Sequence, residues 1–180
     1  MTYSIVSADE LKKRQAQLKS IYAAEPHRAR QTLKARVVVD PPTLSVHVLY
    51  PAKLNPVGLH EGTGGDGRSV CPVELFLAGL GSCAGVTLAA VAHAMKIELL
   101  HAAVTVEGDA DFCGTLGVNR DASVGLTALR INFELETDCP EESVDKLIEL
   151  THRYCVVHRT LDNPPAINVT LKGRSLQVDK

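Results

Sequence analysis

Cys83 is the residue whose surroundings most directly suggest chemistry. It lies in a long apolar run, and the residues beside it are unusually small: Gly79, Gly81, Ser82, Ala84 and Gly85. Glycine lowers helix stability by about 1 kcal/mol relative to alanine at each position. A helix with so many small residues around one thiol either packs very closely on a neighbouring element or leaves room for a small molecule.

A second thiol, Cys155, ends the other strongly periodic helix of the chain. The apolar stripe of that helix comprises Val144, Leu147, Ile148 and Thr151. Cys155 extends this stripe and is therefore expected to face inward. We expect the function to lie between these two thiols.

Reactivity at Cys83 requires a nearby cation, because only the thiolate form of cysteine is a nucleophile. An unperturbed cysteine is only a few per cent thiolate at pH 7. Cys83 lies about three turns into its helix, too far from the N-terminus for the helix dipole to help. The positive charge must come from elsewhere in the fold, and from the residues alone close helix packing explains Cys83 as well as reactivity does.

The other cysteines and the histidines give weaker signals. Cys113 and Cys139 fall in predicted turns without a basic neighbour, so we interpret them as small hydrophobic residues. Cys71 stands at a helix start, where the helix dipole lowers the pKa of a thiol. The run from His152 to His158 has metal-ligand residue types, but only His152 and Cys155 share a helix face, and a zinc site needs three or four ligands. The sequence therefore predicts no metal site.

The composition is that of an ordinary soluble protein, with 180 residues, 45% apolar and 22% charged. A net charge of -2 predicts neither a nucleic-acid nor a membrane-surface partner. No apolar run reaches the ~18 residues needed to span a bilayer; residues 72–95 come closest, but Glu74 and His93 lie inside this run. The N-terminus lacks the basic start and apolar core of a secretory signal. Five cysteines without a CxxC pair indicate reduced thiols, and hence a cytoplasmic protein.

Residues 1–34 are predicted to be a helical extension. Residues 7–10 fit a capping box, and helical spacing continues to about Leu33 with an interruption at Pro26. Because the segment is polar and basic, we interpret it as a surface element. We expect residues 1 to about 30 to be dispensable for the folding of the rest.

Residues 35–180 are predicted to form one domain with the element order β-β-α-β-β-α-β. A glycine-rich loop precedes its central helix but contains neither common phosphate-binding fingerprint. The predicted elements are strands 35–40 and 44–50, a helix over 72–95, strands 101–109 and 125–136, a helix from 138 to 155 with Pro140 in its first turn, and a strand over 167–171.

Four segments, taken in chain order, resemble a known family. They are Pro72–Cys83, Val104–Asp111, Leu150–Cys155 and Val169–Leu171. Together they resemble the OsmC/Ohr family, and the block that ends in Cys83 is the most specific of them. The resemblance implies an α+β fold: an intertwined homodimer whose long central helices pack back to back and are wrapped by antiparallel β-sheets.

The resemblance also implies a function, the thiol-dependent reduction of organic hydroperoxides in defence against oxidative stress. Cys83 would be the peroxidatic cysteine and Cys155 the resolving cysteine. The expected partners are a second copy of the chain, a small-molecule hydroperoxide, and a dithiol or lipoyl-type reductant. No metal or other cofactor is expected.

The cation that this chemistry needs is assigned to Arg68, with His60 as the other candidate. The chain departs from the peroxidase branches of the family at Val73, where they carry a Glu, and at Val156, where they carry a Pro. An alternative therefore stays open, in which a catalytically weak OsmC-like protein binds an apolar or thiol-reactive small molecule at the dimer interface.

Overall fold

The structure is built on an antiparallel sheet that packs against the long helix containing Cys83. The computed structural model of the chain describes residues 8–50, 57–172 and 174–176. The helices are α1 (Ala8–Ala24), α2 (Pro72–Met95), α3 (Phe112–Thr115), α4 (Glu141–Tyr154) and α5 (Val156–Asp162). The strands are β1 (Arg30–Asp40), β2 (Ser45–Tyr50), β3 (His101–Asp111), β4 (Leu126–Glu136), β5 (Val169–Leu171) and β6 (Arg174–Leu176).

The four-stranded sheet has the order β2-β1-β3-β4, and β5 pairs with β6 separately. All pairings in the main sheet are antiparallel, which confirms the predicted β1–β2 hairpin. Alternate residues of β1 are buried beneath α2, and the residues between them lie on the opposite face. That opposite face carries cross-strand ion pairs: Arg36 with Glu134, Lys34 with Glu107, and Arg130 with Asp109. The sheet thus has one charged face and one face covered by α2.

Two glycines allow α2 to lie close to the sheet. A Cβ atom at Gly85 would stand 2.9 Å from Val46, and one at Gly81 would stand 3.2 Å from Val106. A Cβ atom at Gly79, in contrast, would meet nothing within 4 Å. Close packing therefore accounts for Gly81 and Gly85, whereas Gly79 lies on the open side of the helix.

The length and mean hydropathy of α2, 2.0 in its most apolar window, would also suit a membrane span. The expectation that no run is long enough was therefore wrong on length and composition. However, 56% of that window is buried inside the fold. A largely buried core helix can be as long and as apolar as a membrane span, and the burial of α2 fits that description.

The N-terminal segment differs from the prediction. Its helix ends at Ala24, and β1 begins at Arg30, so the predicted helix to about Leu33 is wrong and the boundary at residue 34 lies inside a strand. This segment forms a strand and not a helix, because every second side chain from Leu33 onward is buried. The surface interpretation also fails at Tyr22, which is 3% exposed and donates its O–H to the carbonyl of Gly62 at 2.9 Å.

The C-terminal half differs in its helix boundaries. The helix predicted from residue 138 begins at Glu141, with Pro140 just before it, so the proline does not lie in the first turn. Cys155 then interrupts the helix, and α5 follows, an element that the sequence analysis missed. The last predicted strand is shorter than expected and covers Val169–Leu171.

Replacing Tyr22 with alanine should lower the free energy of unfolding by about 3–5 kcal/mol, because a buried aromatic ring is removed. Tyr22→Phe should cost about 1 kcal/mol, since it loses only the hydrogen bond to Gly62. Tyr154→Phe is the matched control, because that side chain is 57% exposed. Urea unfolding of the full chain at fixed protein concentration measures all three. Wild-type stability of Tyr22→Ala would restore the view that α1 is dispensable.

Candidate functional site

Cys155 lies where α4 and α5 meet, against α2. Its backbone is extended, so α4 ends there and α5 starts at the next residue. The N–H of Cys155 donates to the carbonyl of Thr151, and its carbonyl accepts from the N–H of Arg159, each at 2.9 Å. The residue is only 1% exposed. The predicted inward orientation is therefore observed, although Cys155 caps the helix and does not continue it.

Cys83 lies on the side of α2 that the sheet does not cover. It is half-buried, and its carbonyl accepts the hydroxyl of Thr87 at 2.7 Å. The helical neighbours of Cys83 at i-7, i-4 and i+3 are Phe76, Gly79 and Val86, all of them exposed. The face of α2 around Cys83 is therefore exposed and largely apolar.

The two thiols interact. The pKa of Cys155 is raised to about 11; burial is the largest cause, and the hydrogen bond and charge of Cys83 contribute to the increase. The backbone N–H groups of His158 and Val157 oppose this shift, since they favour the thiolate. Cys155 is therefore a neutral S–H at pH 7, able to donate to Cys83.

A cavity of about 460 Å³ opens beside Cys155. Helices α2, α4 and α5 and one face of β4 enclose it. Its apolar lining comprises Leu80, Ala84, Leu129, Ile131, Phe133, Ile148 and Leu161, and its other lining residues are Thr151, His152, Cys155, His158 and Asp162. Such a lining suits an apolar small molecule with a polar group at one end.

The polar end of the cavity is formed by two imidazoles and a carboxylate. The Nε2 atoms of His152 and His158 lie 3.6 and 3.8 Å from the two carboxylate oxygens of Asp162. Burial, followed by the charge of His152, lowers the pKa of His158. Sequence reasoning set His158 aside, because a straight helix through Cys155 would turn it away from His152, and it missed Asp162. Their i, i+4 spacing was the available signal.

The structure does not bring either candidate cation to Cys83. Arg68 is exposed, and its backbone N–H donates to Asp66 at 3.0 Å. The Nδ1 atom of His60 accepts the N–H of Gly62 at 3.0 Å, and its ring packs on Phe112. Within the described ranges neither side chain hydrogen-bonds to Cys83, so their activating role stays a prediction.

The remaining cysteines have different surroundings. Cys113 is buried, and burial, followed by the charge of Asp111, raises the pKa of its thiol. A buried, protonated thiol is unreactive. Cys71 is buried at the N-cap of α2, where its N–H donates to Glu74 at 3.2 Å.

Comparison with known proteins gives three results. A family model described as OsmC-like protein matches residues 64–170, more than half of the chain. The hydroperoxide reductase of Mycoplasma genitalium is 31% identical over 94 residues, which cover 52% of this chain and 63% of that protein. The crystal structure of an OsmC-like hydroperoxide resistance protein from Jannaschia sp. CCS1 matches with a TM-score of 0.56 at 19% identity.

The structural match covers 83% of this chain and 99% of the Jannaschia protein, and at this identity it shows the fold alone. It confirms the predicted α+β, OsmC-like fold with helices on antiparallel sheets. The alignment with the Mycoplasma protein spans less than two thirds of that relative's length. The intertwined dimer stays a prediction.

One equivalent of an organic hydroperoxide should produce a disulfide between Cys83 and Cys155, because these two thiols interact in the fold. Cys113 should stay reduced, since it is buried elsewhere and its thiol pKa is raised, and Cys139 should stay reduced as well. Peptide mapping by mass spectrometry, without reductant, identifies the linkage. A disulfide that includes Cys71 would contradict the assignment.

Proposed function

Because this chain belongs to the OsmC-like protein family, we propose that it reduces organic hydroperoxides through Cys83 and Cys155. The interacting thiol pair carries the proposal, since a half-buried sulfur next to a protonated one is what a two-cysteine peroxidase requires. The similarity to the hydroperoxide reductase of Mycoplasma genitalium supports the same chemistry.

The first step is attack by the Cys83 thiolate on the peroxide oxygen that bears hydrogen. The O–O bond breaks, Cys83 becomes a sulfenic acid, and the alkoxide leaves and takes up a proton to give an alcohol. The apolar surface of Phe76 and Val86 beside Cys83 favours the alkyl part of the substrate over hydrogen peroxide.

The second step joins the two sulfurs. The thiol of Cys155 attacks the sulfenic sulfur of Cys83, a disulfide forms, and the oxygen leaves as water. An external dithiol then reduces this disulfide by two exchange steps and is itself oxidised to a disulfide. The burial of Cys155 keeps it from reacting with peroxide, because its thiol stays protonated at neutral pH.

A second copy of the chain is part of this proposal. The open face of α2 carries Phe76 and Val86, which are 38% and 39% exposed. Cys83 lies beside them, so a partner packed on this face would cover the thiol and exclude water from it.

A second candidate function is binding without efficient turnover. Val73 stands where the peroxidase branches carry a Glu, and neither Arg68 nor His60 hydrogen-bonds to Cys83 in the described part of the chain. The apolar cavity of about 460 Å³ beside Cys155 would then hold an apolar or thiol-reactive molecule.

Cys83→Ser should abolish the consumption of cumene hydroperoxide, because the attacking sulfur is lost. Cys155→Ser should permit one turnover and then stop with Cys83 as a sulfenic acid. Cys139→Ser, a half-buried cysteine outside the pair, is the matched control and should keep full activity. Stopped-flow kinetics with a dithiol reductant and mass spectrometry measure these outcomes. Full activity of Cys83→Ser would leave only the binding function.

The same assay tests whether Arg68 supplies the positive charge near Cys83. If Arg68 promotes ionisation of Cys83, Arg68→Ala should slow the first turnover by about tenfold or more without changing the second step. An unchanged first-turnover rate would move this role to His60 or to Arg153, an exposed residue of α4 two positions before Cys155.

The chain should sediment at twice its 19.3 kDa mass at micromolar concentration. Val86→Glu should shift the equilibrium toward the monomer, because it places a charge on the apolar face of α2. Val124→Glu, at a position that is 70% exposed outside that face, should leave the assembly unchanged. A wild-type chain that sediments only at 19.3 kDa would overturn the dimer.

A further inference from the structure

Two histidines and an aspartate converge at the rim of the cavity beside Cys155. One nitrogen from each imidazole and one carboxylate oxygen all lie within 4.8 Å of one another. The rings of His152 and His158 have centroids 4.0 Å apart and are tilted by 55°. The break of the helix at Cys155 creates this arrangement, since it turns the first residues of α5 back toward α4.

We propose that His152, His158 and Asp162 bind a divalent transition-metal ion of the zinc class. Two neutral imidazoles and one carboxylate are a donor set that Zn²⁺ accepts, with a fourth position left for water or a ligand. In a tetrahedral zinc site the ligand atoms stand about 3.4 Å apart, given metal–ligand bonds of about 2.0–2.1 Å. The Nε2 atom of His158 lies 3.8 Å from the nearer oxygen of Asp162, so a small contraction suffices there, and one nitrogen of His152 lies within 4.8 Å of its two partners.

A neighbouring arginine leaves one oxygen of Asp162 available to a metal ion. Arg159 donates to one oxygen of Asp162 at 2.7 Å, and the other oxygen, next to His158, remains for the metal. Such a hydrogen bond to a ligating carboxylate orients it.

A metal ion can reach the three side chains from solvent. His152 and Asp162 are exposed and His158 is half-buried, so an ion can enter from solvent. All three side chains line the cavity, so the open coordination position would face the space beside Cys155. This inference does not depend on the peroxidase proposal, because it concerns binding and needs no redox step.

The test is a titration of the full, tag-free, reduced chain with Zn²⁺ by calorimetry and with Co²⁺ by visible absorption. We expect one ion per chain and the d–d spectrum of a four-coordinate site. His158→Gln and Asp162→Asn should each weaken binding by at least about tenfold. His93→Gln is the matched control, since His93 is an exposed histidine on α2.

Thermal denaturation without metal checks that each variant folds, and added Zn²⁺ should raise the melting temperature of the wild type and of His93→Gln alone. Because Asp162 is exposed, Asp162→Asn decides the question if His158→Gln fails to fold. Absence of binding, or binding that both substitutions leave unchanged, would overturn the site. Binding that is lost in Cys83→Ser or Cys155→Ser but kept in Asp162→Asn would assign the ion to the thiols and also overturn it.

Discussion

The close approach of α2 to the sheet is the contact on which the other parts of the structure depend. At Gly81 and Gly85 a side chain would meet valines of the sheet, so only hydrogen fits between helix and strands. The helix therefore lies low enough for Leu77 and Leu88 to be fully buried. With that face fixed, helical geometry turns Cys83 away from the sheet and toward the junction of α4 and α5.

The break of the helix at Cys155 is the second determinant of the site. One extended residue ends α4 and begins α5, so the sulfur is buried against α2 while the N–H and the carbonyl of Cys155 remain hydrogen-bonded. Burial raises the pKa of this thiol and keeps it protonated. The same break folds His158 back onto His152. A single backbone irregularity therefore sets both the chemistry of Cys155 and the polar end of the cavity.

Elements with local signals could be predicted from the sequence, and those decided by tertiary contacts could not. The bounds of α2 match the prediction, because Pro72 starts the helix and its end is marked by Lys96 in a left-handed conformation. Alternation identified β4. The start of β1 was missed, since a polar segment became a strand through pairing with β3. The thiol pair was found through a family resemblance, whereas His158 was set aside and Asp162 was missed, because their position depends on a helix break that no local signal marks.

The open face of α2 connects the assembly to the chemistry. In the described part of the chain Cys83 interacts with Cys155 on one side, and its exposed neighbours Phe76 and Val86 lie on the other. A thiolate in such an apolar setting needs a cation, because burial alone favours the protonated sulfur. Whatever covers this face therefore decides whether Cys83 is protected or activated. If a second copy covers it, assembly and reactivity are coupled, and a substitution that separates the subunits would also lower the rate of the first chemical step.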